Sequence, residues 1–507
     1  MTSLLSRYAD KIQGVLSCYD RVVLTGTLPN LCYAGGMTAY LVSHQIRIFD
    51  YAKFAEPLGK QIRENAQRLA AQAGVEIEFI RRPKGFRKEE RVAAVLAERG
   101  PSKDGLVHIL SAMEECTSYK PWYDKATGKT SLKPDSGRCL HYYFYFLDPD
   151  WGLCYLRVPI WCPFRLQFYF NGHNYLAQQL RRHQVQFQQL DNAFVSLQDF
   201  DKAQELVDSL QVAKLHKSLD RFASRYCPVL TELGMSYHWS IMQAEYSTDL
   251  VFRSQDDLQP VYEQLVRTAV HAVKADNVAS FLGRKLTGNY QDEVGNDLGL
   301  RVGGTRLKHS MGPVSIKMYD KRGLVLRIET TVNDVTFFSH YRKVEQRDGT
   351  STHKVAPLKK TIYSLAPDLR ELLLAANRRY LDFVSDLDDP TSGLKALDKV
   401  SQPVSDNGHT YKGFNFFVQP DQAVFEALVR GEFTISGLRN RDLRDLLKDC
   451  TASQISRCLK RLRTHGLLKK IGRTYKYYLT ELGRRVALAG LKLKELFLIP
   501  ALCPSVA

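Results

Sequence analysis

Apolar residues return every three or four positions across residues 53–73 and again across residues 88–99, the spacing that gives a helix one apolar stripe. Around these stretches the pattern changes to short β-branched and aromatic runs at residues 21–28, 75–80 and 106–113, which read as strands. This alternation predicts an α/β N-terminal domain over residues 1–115. Residues 117–138 are polar, so they read as a loop. Strand patterns resume at residues 140–146, 153–160 and 165–170, with a turn at Asp148-Pro149-Asp150-Trp151-Gly152. Helical spacing follows at residues 175–183, 199–210 and 215–225, then a strand pattern at 237–252 and a helix at 257–274. These elements predict a mixed α+β central domain over residues 139–365. A helix over 366–384 and a polar linker over 385–412 come next. The expected fold class is a multi-domain α/β (mixed α+β) body followed by a winged helix-turn-helix domain over residues 413–500.

That last domain rests on three helical patterns and a hairpin. The third helix begins at Ser453 and puts Ile455, Cys458, Leu459 and Leu462 on one face, with Gln454, Arg457, Lys460, Arg461 and Arg463 turned away. Gly466 ends it. Two short strands then flank the turn Gly472-Arg473 as a wing, which carries Lys469, Lys470, Arg473 and Lys476. Helix-turn-helix docking places the third helix in the major groove and the wing on phosphate.

Charge sharpens that picture. The chain carries a formal +17, and residues 421–500 hold 17 Lys and Arg against 8 Asp and Glu. From Ser453 to Lys476 there are eight basic residues and no acid. Cations packed so densely repel one another, and a polyanion relieves the repulsion, so nucleic acid is the expected partner, DNA ahead of RNA. Winged helices also serve protein contacts and dimerisation, but here helix and wing share the charge. The ten cysteines show no CxxC pair and no histidines at zinc spacing, which predicts free thiols in a reducing cytoplasm. No apolar run is long enough to suggest a membrane partner.

Residues 140–146 place His141, Tyr143 and Tyr145 on one strand face, and residues 165–170 place Arg165, Gln167 and Tyr169 together. Such a face either stacks bases or lies beneath helices. Asp20-Arg21, at a strand start, suits an ion pair or a cap better than catalysis.

The sharpest local logic outside the tail lies at residues 314–332. Val314, Ile316 and Met318 alternate with Ser315, Lys317 and Tyr319, and Leu324, Leu326 and Ile328 alternate with Val325, Arg327 and Glu329. A three-residue loop, Lys321-Arg322-Gly323, keeps the apolar residues opposite one another and gathers Ser315, Lys317, Tyr319, Arg327 and Glu329 on one polar face. Arg306, Lys308 and His309 add charge on an expected third strand. With Lys321, this set suits cleavage or joining of a phosphodiester: Tyr319 as nucleophile, with Lys317, Lys321 and Arg327 stabilising the charge on the phosphate oxygens. Glu329, with Glu245 or Asp249, would hold Mg²⁺ or Mn²⁺. The alternative is a solvated face of ion pairs.

Tyr319-Asp320-Lys321 followed by Arg327-Ile328-Glu329 resembles the Tyr-(Asp/Asn)-Lys…Arg-x-Glu hairpin of rolling-circle replication initiators of phages and plasmids. That resemblance implies metal-assisted nicking of DNA through a tyrosine. The His-hydrophobe-His pair of related nickases has no counterpart here, since Leu140-His141-Tyr142-Tyr143 holds one histidine. The tail resembles the winged-helix modules of MarR-like bacterial regulators, and the chain as a whole resembles an uncharacterised bacterial family with such a tail. A protein of a mobile genetic element or replication system is therefore expected. The alternatives are a non-enzymatic transcription regulator and an RNA-binding protein assembling with a structured transcript.

Overall fold

The computed structural model describes residues 2–81, 85–99, 104–285, 294–301, 304–346, 349–387, 400–416, 418–430, 433, 437–472 and 474–493. The fold is mixed α+β, with one large sheet and fifteen α-helices among the described residues. The sheet strands are β1 (Ile12–Thr27), β2 (Ile77–Phe79), β3 (Gly105–Asp124), β4 (Lys129–Asp148), β5 (Gly152–Pro159), β6 (Leu166–Phe170), β7 (His238–Phe252), β8 (Gly295–Arg301), β9 (Gly304–Met311), β10 (Val314–Lys321) and β11 (Val325–Val332). Hydrogen bonding orders them β8-β9-β10-β11-β7-β1-β6-β5-β4-β3-β2. The chain divides into two compact units of non-contiguous segments, one of Met1–Val15, Ser247–Thr330 and Leu372–Ala507, the other of Leu16–Tyr246 and Thr331–Glu371.

In the second of these units β3 pairs with β4 along their whole lengths, from Gly105 opposite Leu147 to Asp124 opposite Lys129. The stretch expected as a loop is therefore the outer half of a long ribbon. Its two faces differ too little in polarity to announce a strand, and its two prolines break the pattern. Tyr119 and Leu132 on one face are buried; the Tyr119 hydroxyl donates to the Leu31 carbonyl at 2.7 Å, and the Leu132 amide donates to Thr38 Oγ1 at 2.9 Å. The helix carrying Thr38, Ala34–Ser43, thus lies under the ribbon.

The tyrosines of β4 and β5 are covered rather than open. Tyr143, Tyr145 and Tyr155 join Val92 of the helix Lys88–Arg99 and Val107, Leu110 and Ala112 of β3 in one core. Burial raises the pKa of each of the three phenols. This face is not a base-stacking surface. Glu114 ties its edge together: it accepts from the Tyr143 hydroxyl at 2.7 Å, from Arg157 Nε at 2.9 Å and from Lys88 Nζ at 3.0 Å. Burial pushes the Glu114 carboxyl up, but these donors outweigh it and hold the group at about 2.

In the first unit the helix Arg370–Leu387 supplies Asn377, fully buried, which accepts from Thr330 Oγ1 at 2.7 Å and donates to Thr248 Oγ1 at 3.2 Å. The tail follows as helices Gln419–Leu428, Asn440–Leu446 and Ala452–Thr464, a hairpin of Leu468–Lys470 with Tyr477–Leu479, and the helix Glu481–Lys492. Ile455, Leu459 and Leu462 bury the predicted apolar stripe, against Phe425, Leu428, Leu443 and Val486 among others. A backbone bridge between Leu438 and Tyr477 adds a third short piece to the hairpin. Part of the expected linker belongs to this core: Val400 is buried in it, packed with Phe414 from the start of the tail domain, and Val404–Asp406 pairs with His409–Tyr411. Residues 388–399, expected as linker, lie outside the described residues.

Candidate functional site

Strand bounds leave residues 322–324 as the loop joining β10 to β11, one position beyond the expected loop but of the same length. Equal length preserves the alternation, so the expected face forms. Arg322 and Gly323 both take positive φ, +59° and +70°, and the Gly323 amide donates to Asp320 Oδ1 at 2.9 Å, fixing the turn. On the resulting face Lys317 Nζ lies 2.6 Å from Glu329 Oε1, and the Tyr319 hydroxyl donates to Glu329 Oε2 at 2.7 Å. Glu329 is 2% exposed, whereas Lys317 and Tyr319 are half-buried.

The solvated alternative does not hold, because β11 is buried along its whole length. Arg327 is fully buried, and its guanidinium makes a two-pronged pair with Asp249 of β7, Nε to Oδ1 at 2.6 Å and Nη2 to Oδ2 at 2.7 Å. Both groups are therefore committed to each other. This corrects two expectations. Arg327 is a structural counter-charge rather than a phosphate clamp, and Asp249 is its partner rather than a metal ligand. In a medium that solvates ions poorly, each would be costly without the other.

Lys321 ends β10, half-buried, beside the loop. The third strand exists: on β9, Arg306 stands opposite Tyr319 and Lys308 opposite Lys317. Arg306 forms an ion pair with Asp297 of β8. Behind them His309 is buried, with Nδ1 2.7 Å from Asn296 Oδ1 and Nε2 3.3 Å from the Tyr380 hydroxyl. Burial lowers the His309 pKa to about 4, so the ring is neutral at ordinary pH and does not add the charge expected of it.

Glu245 of β7 accepts from Thr331 Oγ1 at 3.2 Å. Its carboxylate and that of Asp20 on β1 offer oxygens within 4.8 Å of each other, a separation one divalent cation can bridge. Asp20 is buried, 3.1 Å from His173 Nδ1, and accepts from Asn192 Nδ2 at 2.5 Å. Sequence reasoning placed Asp20 only as an ion-pair or capping residue. No spacing rule links it to Glu245, because the pairing arises from strand order.

The tail's cations sort into two groups. Arg457, Arg463, Lys469 and Lys470 are exposed, and Lys476 is half-buried. Arg461 is engaged inside the fold: it pairs with Asp421 through Nη1 at 2.7 Å and Nη2 at 2.9 Å, donates to the carbonyls of Lys412 and Gly413, and lies 3.7 Å from the centroid of the Phe414 ring. Lys460 Nζ pairs with Asp406 at 2.6 Å. The Gln454 side chain accepts from the Thr451 amide at 2.7 Å in a capping box. Arg461 thus leaves the set of expected phosphate contacts, since its donors serve the tail's own core. Arg473 lies outside the described residues.

Comparison of the chain with family models, curated proteins and solved structures returns no match. Among the described residues no helix is long and apolar enough to cross a membrane.

Proposed function

We propose that the protein binds nucleic acid, DNA in the first instance, through its tail, read as a winged helix, and that it serves a mobile genetic element or replication system. The observation that carries this reading is the set of exposed cations, Arg457 and Arg463 on the helix Ala452–Thr464 with Lys469 and Lys470 on the hairpin. No acid falls between Ser453 and Lys476 in the sequence. Each phosphate that a bound protein neutralises contributes about 0.9 to the steepness with which log affinity falls against log salt. The quadruple alanine variant at these positions is therefore expected to flatten the salt dependence of duplex binding by about 3.6. An unchanged slope refutes the assignment.

The same reading extends to strand cleavage at the β10–β11 hairpin. The Tyr319 oxygen would attack phosphorus as the P–O bond to the leaving strand breaks, forming a phosphotyrosine, while Glu329, 2.7 Å away, takes the phenolic proton and water protonates the departing oxygen to a hydroxyl. Lys317, beside Glu329, supplies positive charge to the phosphate oxygens. Separately, within the other unit, Asp20 and Glu245 are two carboxylates of the kind that would hold a hard cation such as Mg²⁺ or Mn²⁺, which would supply Lewis-acid charge there. Incubation with labelled single-stranded DNA is expected to give a denaturation-resistant adduct that Tyr319→Phe abolishes. An adduct that survives Tyr319→Phe moves the chemistry elsewhere.

A second reading, a ligand-responsive regulator, is favoured by a cavity of about 340 Å³ lined by Phe383, Leu446, Leu447, Leu488 and Leu491, with Lys274 and the Arg430–Asp276 ion pair at its edge. A small, mainly apolar ligand that raises the melting temperature and shifts duplex affinity would support it.

A further inference from the structure

Beyond Ser118, the outer end of the β3–β4 ribbon carries exposed side chains on one face. Residues directly opposite share a side of the ribbon, so Lys120 with Lys133, Trp122 with Ser131 and Asp124 with Lys129 form one face. The other face carries Tyr119 and Leu132 and is the one buried on the helix Ala34–Ser43. Trp122 is 46% exposed, while Trp151 and Trp239 are at most 2% exposed and Trp161 is half-buried, its Nε1 donating to Ser118. An exposed indole in this position contributes little to the core.

Charge on that face is unbalanced. Lys120 and Lys133 stand directly opposite each other, an arrangement that disfavours a strand pair. Lys133 Nζ rests 3.5 Å from the Trp122 ring centroid. Lys120 reaches Asp135 at 3.3 Å, but both are exposed, so the pair screens weakly. From Ser118 to Lys133 the sequence holds four lysines and one acid, Asp124. That acid is occupied by the turn, accepting from the Ala126 amide and from Thr127 Oγ1. A flat aromatic ring bordered by three lysines on an exposed strand face is the arrangement that takes a base on the ring and phosphates on the ammonium groups. The lack of aliphatic residues beside Trp122 disfavours a lipid surface, which would need apolar area to bury.

We infer that the outer half of the β3–β4 ribbon is a second nucleic-acid contact, selective for single strands, with Trp122 stacking on an unpaired base and Lys120, Lys129 and Lys133 meeting the flanking phosphates. It rests on the reading of the protein as a nucleic-acid binder but uses residues remote in sequence from the tail.

The test uses the full chain and follows tryptophan emission during titration with a dT20 oligonucleotide, a duplex of the same length, and vesicles of phosphatidylglycerol. Stacking is expected to quench the emission with dT20, and Trp122→Phe is expected to remove most of the quench. Trp122→Ala is expected to weaken dT20 binding by roughly 5- to 150-fold while leaving duplex affinity within about twofold. Lys120→Glu with Lys133→Glu is expected to lower the single-strand salt slope by about 1.4. Unchanged dT20 affinity in Trp122→Ala, with an unaltered far-UV spectrum, overturns the inference. So does a spectral response to vesicles but not to dT20. Duplex binding without any dT20 quench sinks the ribbon contact alone; failure to bind either at low salt sinks the tail reading as well.

Discussion

Arg461→Ala separates a structural cation from a contacting one. Truncation removes a two-pronged pair to Asp421, two hydrogen bonds to carbonyls and the stacking of the guanidinium on Phe414. It also leaves Asp421 buried at 7% exposure with its charge unpaired, although the Asn415 amide still donates to it at 2.9 Å. Breaking a buried pair costs about 3–5 kcal/mol. The Arg461 side chain is 14% exposed and that of Asp421 10%, so water relieves part of the penalty and the lower end applies, about 3 kcal/mol. That is about a 150-fold rise in the population of the locally unfolded tail. Hydrogen exchange resolved by peptide reads this directly. Amides of the helix Ala452–Thr464 that exchange by local unfolding are expected to exchange about 150-fold faster. Arg461→Lys is expected to recover little, since an ammonium cannot reproduce the planar fork. Arg463→Ala, at an exposed position, is expected to leave exchange unchanged and to weaken duplex binding instead. Unaltered exchange in Arg461→Ala would refute the structural role and return the residue to the phosphate-contacting set.

Three further outcomes follow from the body. Arg327→Met is expected to lower the stability of its unit by about 3–5 kcal/mol in urea titrations, because Asp249 at 1% exposure is left uncompensated, and Asp249→Leu in the same chain is expected to restore most of it. Burial holds the His309 pKa near 4, below the unfolded value of about 6.5, so the stability it contributes is present above pH 6.5 and lost as pH falls through 4. His309→Gln should therefore remove about 3 kcal/mol of acid destabilisation from the pH profile; a parallel profile would show that the ring is not held neutral. Asp20→Asn is expected to weaken Mn²⁺ binding measured by calorimetry, and an isotherm that Asp20→Asn leaves unmoved would remove the Asp20–Glu245 pair as the cation's ligands.

The alternation of residues 314–332 sufficed to place Lys317, Tyr319 and Glu329 on one face, because a hairpin's register is set locally by its loop length. The tail's third helix was equally legible, since an apolar stripe is a property of one continuous segment, whereas the Thr451–Gln454 capping box that begins it was not read. Burial was not legible. An arginine on a polar face reads alike whether it meets solvent or a carboxylate from another segment, and only the fold brings Asp249 to Arg327 and Asp421 to Arg461. The same holds for Asp20 and Glu245, joined by strand order, and for the outer half of the ribbon, whose prolines and polar residues conceal a strand that pairing with β4 stabilises. Periodicity fixes which side of an element a residue takes; what covers that side depends on how distant segments pack together, which no local pattern contains.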